Sequence, residues 1–464
     1  MLDLDKKPRL SRFLNLRRES DKVVFSYTPH LGMRHSVLHP FQAVALALIN
    51  GERSWGQIIH AFSLLTEQTH AQASEFIEDL IRSVDNKREI ISENGYYPSK
   101  TFNPEDYLIS SDTINLHSRL EAPLSLVMKI TSRCKTNCIY CYTPRQKREE
   151  EEELSLDRYR AILEQAREIG VYQVNLCGGD GFVRSDFIDI IDAALTMGFV
   201  VDVSTKVDLT QDEAERLAAT GLDYLQISID SCVPRIADRM FGRKGHLKNL
   251  IESIKRLKRT GLFVRTHSII TSLNVRTTED TISVLAGLGI NDMKITPVFK
   301  SYHRDNTKYL LKPDEVEYLE SLMERLQPEW AKRGVGIYYS RLKAPEEMDQ
   351  EEKNEFWFKQ RGVCSGGRSA MFITPEGKAT LCEQVPHEPP FIVGDLNTQT
   401  LREIWNSRAV IDMAYPAREK FFGTACYECA DYDLCVNKRG HCFRDAWFAS
   451  GTLYGPGPYC PCFR

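Results

Sequence analysis

Cys134, Cys138 and Cys141 stand three and two residues apart in Thr131-Ser-Arg-Cys-Lys-Thr-Asn-Cys-Ile-Tyr-Cys-Tyr142, directly behind an apolar run, Ser125-Leu-Val-Met-Lys-Ile-Thr131. The run reads as a strand, so the thiols fall on the loop leaving its carboxyl end, the edge that carries the chemistry in parallel α/β folds. Three thiolates at this spacing can wrap one face of an iron-sulfur cubane and leave one iron open. Such an iron is a Lewis acid that the amino and carboxylate groups of a small molecule can chelate. The alternatives are a structural zinc site or ordinary buried thiols. Zinc asks for a fourth ligand close by and usually closes as paired Cys-x2-Cys units.

Thirteen cysteines occur in 464 residues, eight of them within the last 101, and the N-terminus, Met1-Leu-Asp-Leu-Asp-Lys-Lys7, lacks the apolar core of an export signal. This usage points to metal ligation over disulfides and to a cytoplasmic protein. No apolar run approaches a membrane span, and a net charge of -4 favours neither a nucleic-acid partner nor a disordered chain. The length fits about three domains.

The Cys-x3-Cys-x2-Cys loop, with the aromatic Tyr140 just before its third cysteine, resembles the cluster loop of radical S-adenosylmethionine (SAM) enzymes. The resemblance implies a 4Fe-4S cluster whose open iron holds the methionyl end of SAM and whose electron cleaves it to a 5′-deoxyadenosyl radical. The surrounding pattern agrees. Strands are expected at 125–131, 171–177, 199–205, 223–229, 262–270 and 292–298, with helices between them, one after Ser155 and one from His246 to Arg259. Six βα units are too few for a closed eight-stranded barrel, so the expected fold class is α/β, a partial (β/α)6 radical-SAM barrel over residues 121–345. The helix from Pro313 to Lys332 reads as scaffold, and the acidic run Glu149 to Glu153 as a solvated segment without function.

Further motifs fall where the pocket of such a fold belongs. Cys177-Gly-Gly-Asp-Gly181 resembles the family's Gly-Gly-Glu-Pro turn, which implies that Gly178, Gly179 and Asp180 receive the SAM ammonium; the carboxylate is one methylene shorter here. Two glycines let the main chain approach a ligand closely. Gln226-Ile-Ser-Ile-Asp230 matches a ribose-side Ser-x-Asp motif at Ser228 and Asp230, and Arg239 falls where an arginine clamps the SAM carboxylate. Ser204 and Thr205 end the third strand of the series and are weaker candidates, while Cys177 and Cys232 lie outside any ligand spacing and read as packing residues. No residue is assigned as a catalytic base.

Toward the N-terminus, residues 1 to about 20 are basic and without period, and read as a mobile arm. Two alternating stretches, from Val23 and from Met33, suggest a hairpin; three helices and a closing strand near Glu89 then make a small winged-helix pattern. A winged helix suggests DNA, yet the third helix offers Glu75, Glu78 and Asp79 beside a single Arg82, a poor face for phosphates. The order of elements resembles the PqqD-like peptide-recognition element of ribosomal-peptide tailoring enzymes. That resemblance implies a precursor peptide whose leader adds as a strand to the exposed hairpin edge. Domains are thus expected at 1–98 (peptide recognition), 121–345 (core) and 346–464, with a linker at 99–120.

The C-terminal cysteines run Cys364-x12-Gly377-x4-Cys382, then Cys426-x2-Cys429-x5-Cys435-x6-Cys442-x17-Cys460. Eight cysteines can also build two zinc sites. The order resembles the seven-cysteine auxiliary-cluster domain known as SPASM, which departs here in having Arg at position 439. Carried over by position, Cys364, Cys382 and Cys442 would hold a nearer cluster, and Cys426, Cys429, Cys435 and Cys460 a distal one, giving three 4Fe-4S clusters in all. Cys462 is an extra thiol. Only three thiolates fall to the nearer cluster, which leaves room for a substrate thiolate or for a fourth ligand from elsewhere.

A radical generator, two auxiliary clusters and a leader-binding module together suggest a maturase for a ribosomally made peptide, supplied with electrons by a flavodoxin- or ferredoxin-type reductant. The expected product is a thioether between a cysteine sulfur and carbon. Carbon–carbon crosslinking or desaturation uses the same parts. Oxidation of a protein Ser or Cys, as in sulfatase-maturing enzymes, and an iron-sulfur DNA-binding regulator are the other readings.

Overall fold

The computed structural model describes residues 2–28, 33–84, 90–92, 101–143, 153–340, 362–458 and 460. Cys462 and most of the acidic run before Glu153 lie outside them. The chain forms two compact units, Met1–Leu124 and Ser125–Arg464.

In the first unit β1 (Arg9–Leu10), β2 (Leu14–Arg18), β3 (Val23–Tyr27) and β4 (Arg34–Leu38) precede α1 (Pro40–Ala47), α2 (Trp55–Leu65), α3 (His70–Val84) and β5 (Ile91–Ser92). The expected hairpin is β3–β4, and the expected helices follow it in order. Residues 1–20 are not a free arm: β1 pairs with β5, and β2 adds to β3 to give an antiparallel sheet ordered β2–β3–β4. The reason is burial of Leu10, Leu14 and Leu16, whose short alternation is hidden among arginines. Ser54 caps α2 in a capping box with Gln57, and Phe62 stacks on Phe76 of α3 at 5.1 Å.

The stretch expected as a linker packs on this unit. Tyr107 is buried, with its hydroxyl donating to the Leu16 carbonyl at 3.3 Å, and Arg17 donates to the carbonyls of Ala122 and Pro123 at 2.9 Å each. Fully buried Lys22 pairs with Glu19 at 3.0 Å and Asp21 at 2.9 Å.

The second unit alternates strand and helix: β6 (Ser125–Thr131), α4 (Leu156–Glu168), β7 (Gln173–Gly178), α5 (Phe187–Thr196), β8 (Val200–Thr205), α6 (Gln211–Ala219), β9 (Leu225–Ser228), α7 (Pro234–Phe241), α8 (His246–Arg259), β10 (Val264–Ile270), α9 (Thr278–Gly287), β11 (Asp292–Pro297), α10 (Pro313–Ala331) and β12 (Gly336–Tyr339). Then come β13 (Ala370–Ile373), β14 (Lys378–Thr380), β15 (Gly394–Asp395), α11 (Leu401–Trp405), α12 (Arg408–Ala414) and α13 (Phe443–Ser450). All ten strands join one sheet, ordered β12-β11-β10-β9-β8-β7-β6-β13-β14-β15. Pairing is parallel from β12 through to β13, and antiparallel for β14 and β15. The six expected strands are present; β12 extends the series, and β13 places a strand from beyond residue 345 beside β6.

Strand alternation divides the sheet chemically. Leu126, Met128, Val174, Leu176, Val201, Val203 and Ile227 are buried, whereas their neighbours Asn175, Cys177, Asp202, Ser204, Gln226 and Ser228 are half-exposed. One face is therefore apolar core, and the other is polar and open. Among the described residues no helix is long and apolar enough to cross a membrane.

Candidate functional site

Every parallel strand delivers its carboxyl end to the same edge, and there a cavity of about 400 Å³ is lined by Cys134, Cys138 and Cys141 after β6, Gly178–Asp180 after β7, Ser204–Lys206 at the end of β8, Ser228 on β9, His267 on β10 and Thr296 on β11. The expected loop and motifs are thus brought together. Cys134 is exposed, Cys138 buried and Cys141 half-buried. Thr136 sits between the first two thiols, its hydroxyl 3.2 Å from Cys134 Sγ and 3.5 Å from Cys138 Sγ. Among the described residues no three His, Cys, Asp or Glu side chains are grouped as ligands of a single ion. A cubane asks for a different arrangement, one thiol to each iron corner.

The two glycines act on the loop itself. A Cβ at Gly178, where φ is +146°, would stand 2.3 Å from the Thr131 carbonyl, and one at Gly179 would stand 2.0 Å from that of Arg133. Their absence lets Gly179 N–H donate to Thr131 O at 2.8 Å and Asp180 N–H to Arg133 O at 2.9 Å, locking the turn against the cysteine loop.

Asp180 is buried, and its carboxylate accepts from Thr205 Oγ1 at 2.9 Å, Lys206 N–H at 2.7 Å and Phe182 N–H at 3.2 Å. Burial raises its pKa against those bonds. Asp230 lies behind the cavity wall, where it accepts from the Tyr140 hydroxyl and from Ile269 N–H at 2.9 Å. Arg239 is on the exposed side of α7 and does not line the cavity.

Several lining residues escaped the sequence reading. Cys177, expected to be a packing residue, faces the cavity; burial pushes its thiol up to about 12, with Glu383 adding to the shift. Cys232 does not line it, and burial pushes its thiol to about 12 as well. His267 is driven down to about 3 by burial, then by Lys294 and Lys206, and so is neutral; its Nε2 lies 2.9 Å from Thr296 Oγ1. Lys206 stands two residues after Ser204, just beyond the end of β8.

Three of the C-terminal cysteines are electrostatic neighbours. Cys364 acts electrostatically on both Cys382 and Cys442, whose thiols burial raises to about 11 and about 12. Arg444 lies beside both; burial opposes its charge, but Cys442, Asp445 and Cys382 outweigh that and raise its pKa. Cys426 packs against the small core of Phe421, Tyr432 and Val436, the Cys429 carbonyl accepts from Tyr432 N–H at 3.3 Å, and Cys460 N–H donates to the Gly457 carbonyl. The loop from Phe299 to Asn306, which no motif marks, ties the two regions. Ser301 Oγ donates to Cys141 O at 3.2 Å, Arg304 donates to Asn137 Oδ1 at 3.0 Å and to the Cys138 carbonyl, and His303 Nε2 lies 2.6 Å from the Gln384 carbonyl. Gln384 N–H in turn points at Cys382 Sγ, 3.5 Å away.

Residues 128–286 match the family model of the Radical SAM superfamily, and residues 364–430 that of an iron-sulfur cluster-binding domain, SPASM. The chain is a radical SAM enzyme. This radical SAM enzyme is 26% identical over 295 residues to the PqqA peptide cyclase of Gluconobacter oxydans, which covers 63% of this chain and 78% of the relative. It is also 26% identical over 347 residues to the mycofactocin maturase MftC of Mycolicibacterium smegmatis, covering 74% and 83% of the two chains. Its fold is that of Streptococcus suis SuiB bound to S-adenosylmethionine, with a TM-score of 0.65 at 17% identity over 97% of this chain and 99% of the other. SuiB bound to its precursor peptide SuiA gives a TM-score of 0.66 at 16% identity over 98% and 99%.

Proposed function

We propose that this enzyme modifies a ribosomally made precursor peptide, joining a cysteine sulfur to a carbon of the same peptide. The observation that carries the reading is the cavity: three thiols of one loop stand on the same strand edge as a glycine turn, two serines and a lysine, with a second trio of thiols tied to that loop through residues 299–306. The donor set fits a 4Fe-4S cluster held by Cys134, Cys138 and Cys141 with SAM beside it. When bound, that pair supplies a 5′-deoxyadenosyl radical, which removes a hydrogen atom from carbon. Gly178 and Gly179 hold the loop in register, the Thr136 hydroxyl lies within hydrogen-bond reach of Cys134 and Cys138 Sγ, and Ser204 and Ser228 offer hydroxyls to the sugar side of the ligand.

Cys364, Cys382 and Cys442 would hold a nearer auxiliary cluster, with Arg444 balancing its thiolates. Cys426, Cys429, Cys435 and Cys460 would hold a distal one, making three in all. With three thiolates, the nearer cluster keeps a position for the peptide's own thiolate, and this favours a thioether. A flavodoxin- or ferredoxin-type protein would supply the electron. The precursor would be gripped by the first unit as a PqqD-like element: β4 pairs only with β3 among the described residues, and Arg34, His35 and Ser36 on it are exposed, so its outer edge offers main-chain groups to an incoming strand. The full-length likeness to a chain crystallised with its precursor peptide supports this.

A carbon–carbon bond is the second reading, since the name peptide cyclase carried by the relatives asks for ring closure by either bond. Tandem mass spectrometry of the modified peptide after thiol alkylation separates the two: a thioether leaves one cysteine unalkylated and maps the lost hydrogens to it. Full alkylation with two hydrogens lost rules out the thioether. Removing residues 1–124 should abolish peptide binding and spare SAM cleavage; peptide affinity that survives would rule out the first unit as the leader site.

A further inference from the structure

Charge is spread unevenly over this chain. Residues 131–143, 233–248 and 299–308 together carry ten Lys and Arg against two Asp, a net of +8 in a chain whose total is -4. The fold brings these three stretches to one place. Asn137 N–H donates to Phe241 O at 2.7 Å and Ile139 N–H to Met240 O at 3.1 Å, so the end of α7 is fastened to the cysteine loop. From the third stretch Arg304 donates to Asn137 Oδ1 at 3.0 Å. Arg235 and Arg239 stand four residues apart on one face of α7 and are exposed, as are Lys135 and Lys244; none of these four side chains lines the cavity. The two acids are engaged elsewhere: Asp238 accepts from Gly245 N–H at 2.8 Å and Asp305 from Thr307 N–H at 3.1 Å. Arg133 pairs with Glu153 at 2.9 Å and Arg243 with Asp208 at 3.6 Å, while Lys135, Arg235, Arg239 and Lys244 form no ion pair among the described residues. Cys134, the exposed thiol of the trio, stands between Arg133 and Lys135. Like charges gathered in this way repel, a cost that an acidic surface laid against them relieves.

We propose that this basic outer face is the dock of an acidic electron-carrier protein, which hands one electron to the first cluster through the Cys134 side of the loop. This rests on reading Cys134, Cys138 and Cys141 as the cluster's ligands. The step is electron transfer alone: the carrier is oxidised by one electron, the cluster is reduced by one, and no bond or proton moves. Tunnelling falls steeply with distance, so the carrier has to sit over the part of the loop that reaches the surface. That part is ringed by cations. Steering by opposite charge suits such an encounter, which must form fast and part again, and redox encounters of this kind bury little area.

The test uses the reconstituted full chain with two probes, a flavodoxin and a ferredoxin. Calorimetry measures binding of each oxidised carrier at low and at high salt. SAM cleavage is then driven either by the reduced carrier or by dithionite through methyl viologen, a small cation that no basic face attracts. Arg235→Glu combined with Lys244→Glu should weaken carrier binding and slow carrier-driven cleavage about tenfold at low salt, with the gap closing at high salt. Viologen-driven cleavage and iron content should stay at the wild-type level. Lys332→Glu, at the end of α10, should match wild type throughout. The inference is overturned if the double variant binds the carriers as wild type does, or if Lys332→Glu weakens binding equally, since total charge then governs. It is overturned too if viologen-driven cleavage falls in the double variant, since those residues then serve the cluster, or if precursor peptide binding is lost while carrier binding is kept, which assigns the face to the peptide. Wild type that cleaves SAM with viologen yet binds neither carrier overturns this inference alone. Wild type that holds iron yet gives no cleavage with viologen overturns the reading of the thiols as the radical source, and this inference with it.

Discussion

Cys134, Cys138 and Cys141 leave one strand on a single short loop, whereas Cys364, Cys382 and Cys442 come from three stretches, before β13, after β14 and at the start of α13, that meet only in the folded chain. The first group is held by main-chain bonds to the neighbouring glycine turn and by Thr136; the second depends on an arginine, Arg444, and on a loop reaching across from β11. The first site should therefore tolerate damage to distant packing, and the second should not.

The largest effect tests whether the two sites are separable at all. Replacing Cys134, Cys138 and Cys141 together by alanine should abolish SAM cleavage and remove one cluster's iron, leaving the C-terminal iron in place. Cleavage that persists would mean the loop is not the radical source. Gly179→Ala should come next, because the added methyl meets the Arg133 carbonyl at 2.0 Å. The loop must shift, at about 1–3 kcal/mol of stability by denaturant titration, with first-site iron lost. Normal iron and activity in that variant would mean the turn does not hold the loop.

Arg444→Met sharpens the other side of the comparison. It removes the cation beside Cys382 and Cys442, and outer groups of this kind are worth about 10- to 100-fold in metal affinity. Iron titration should show weaker C-terminal binding with SAM cleavage intact. His303→Ala probes the tie itself by leaving the Gln384 carbonyl without its donor, at about 1–3 kcal/mol. Equal iron at both sites and an unchanged melting point would show that the loop is not a tie.

The smallest effect is on pH dependence. His267 has its pKa depressed to about 3 in the folded protein, against about 6.5 for an ordinary histidine, so between those values the unfolded chain binds more protons. Stability is complete above about 6.5 and is lost as pH falls toward 3, by at most about 1.4 kcal/mol per pH unit from this group. His267→Gln should flatten that part of the profile in urea titrations. Asp202, raised to about 6 mainly by burial against Arg265 and Lys294, has the opposite slope: it favours the fold below about 3.9 and loses that contribution as pH rises to 6. A profile unchanged by the His267 substitution would show that this histidine does not titrate across the transition.

Much of the fold was legible because its signals are local. The apolar run of β6 and the Ser155 cap of α4 placed those elements, and the face of Ala73, Ile77 and Leu80 placed α3. β2 was missed because Arg17 and Arg18 mask its alternation, although Arg17 is buried and bonded to the carbonyls of Ala122 and Pro123. β13 was missed as a partner of β6 because pairing across more than two hundred residues leaves no mark in either strand. In the site, the cysteine loop, the glycine turn and Ser228 could be read from spacing. Lys206, His267 and the 299–306 loop could not be weighted, since their importance lies in what faces them.

The chemistry available is written along the chain: three thiols on a loop behind a strand, glycines where the chain must pass close, and a second set of thiols near the C-terminus. Those follow from residue type and spacing, which act over a few bonds. Only the tertiary structure decided which charged groups meet. It sent Arg239 to solvent, turned Asp180 and Asp230 to the wall, and brought Lys206 into the cavity, because a side chain's partners are set by the strands beside it and not by its neighbours along the chain.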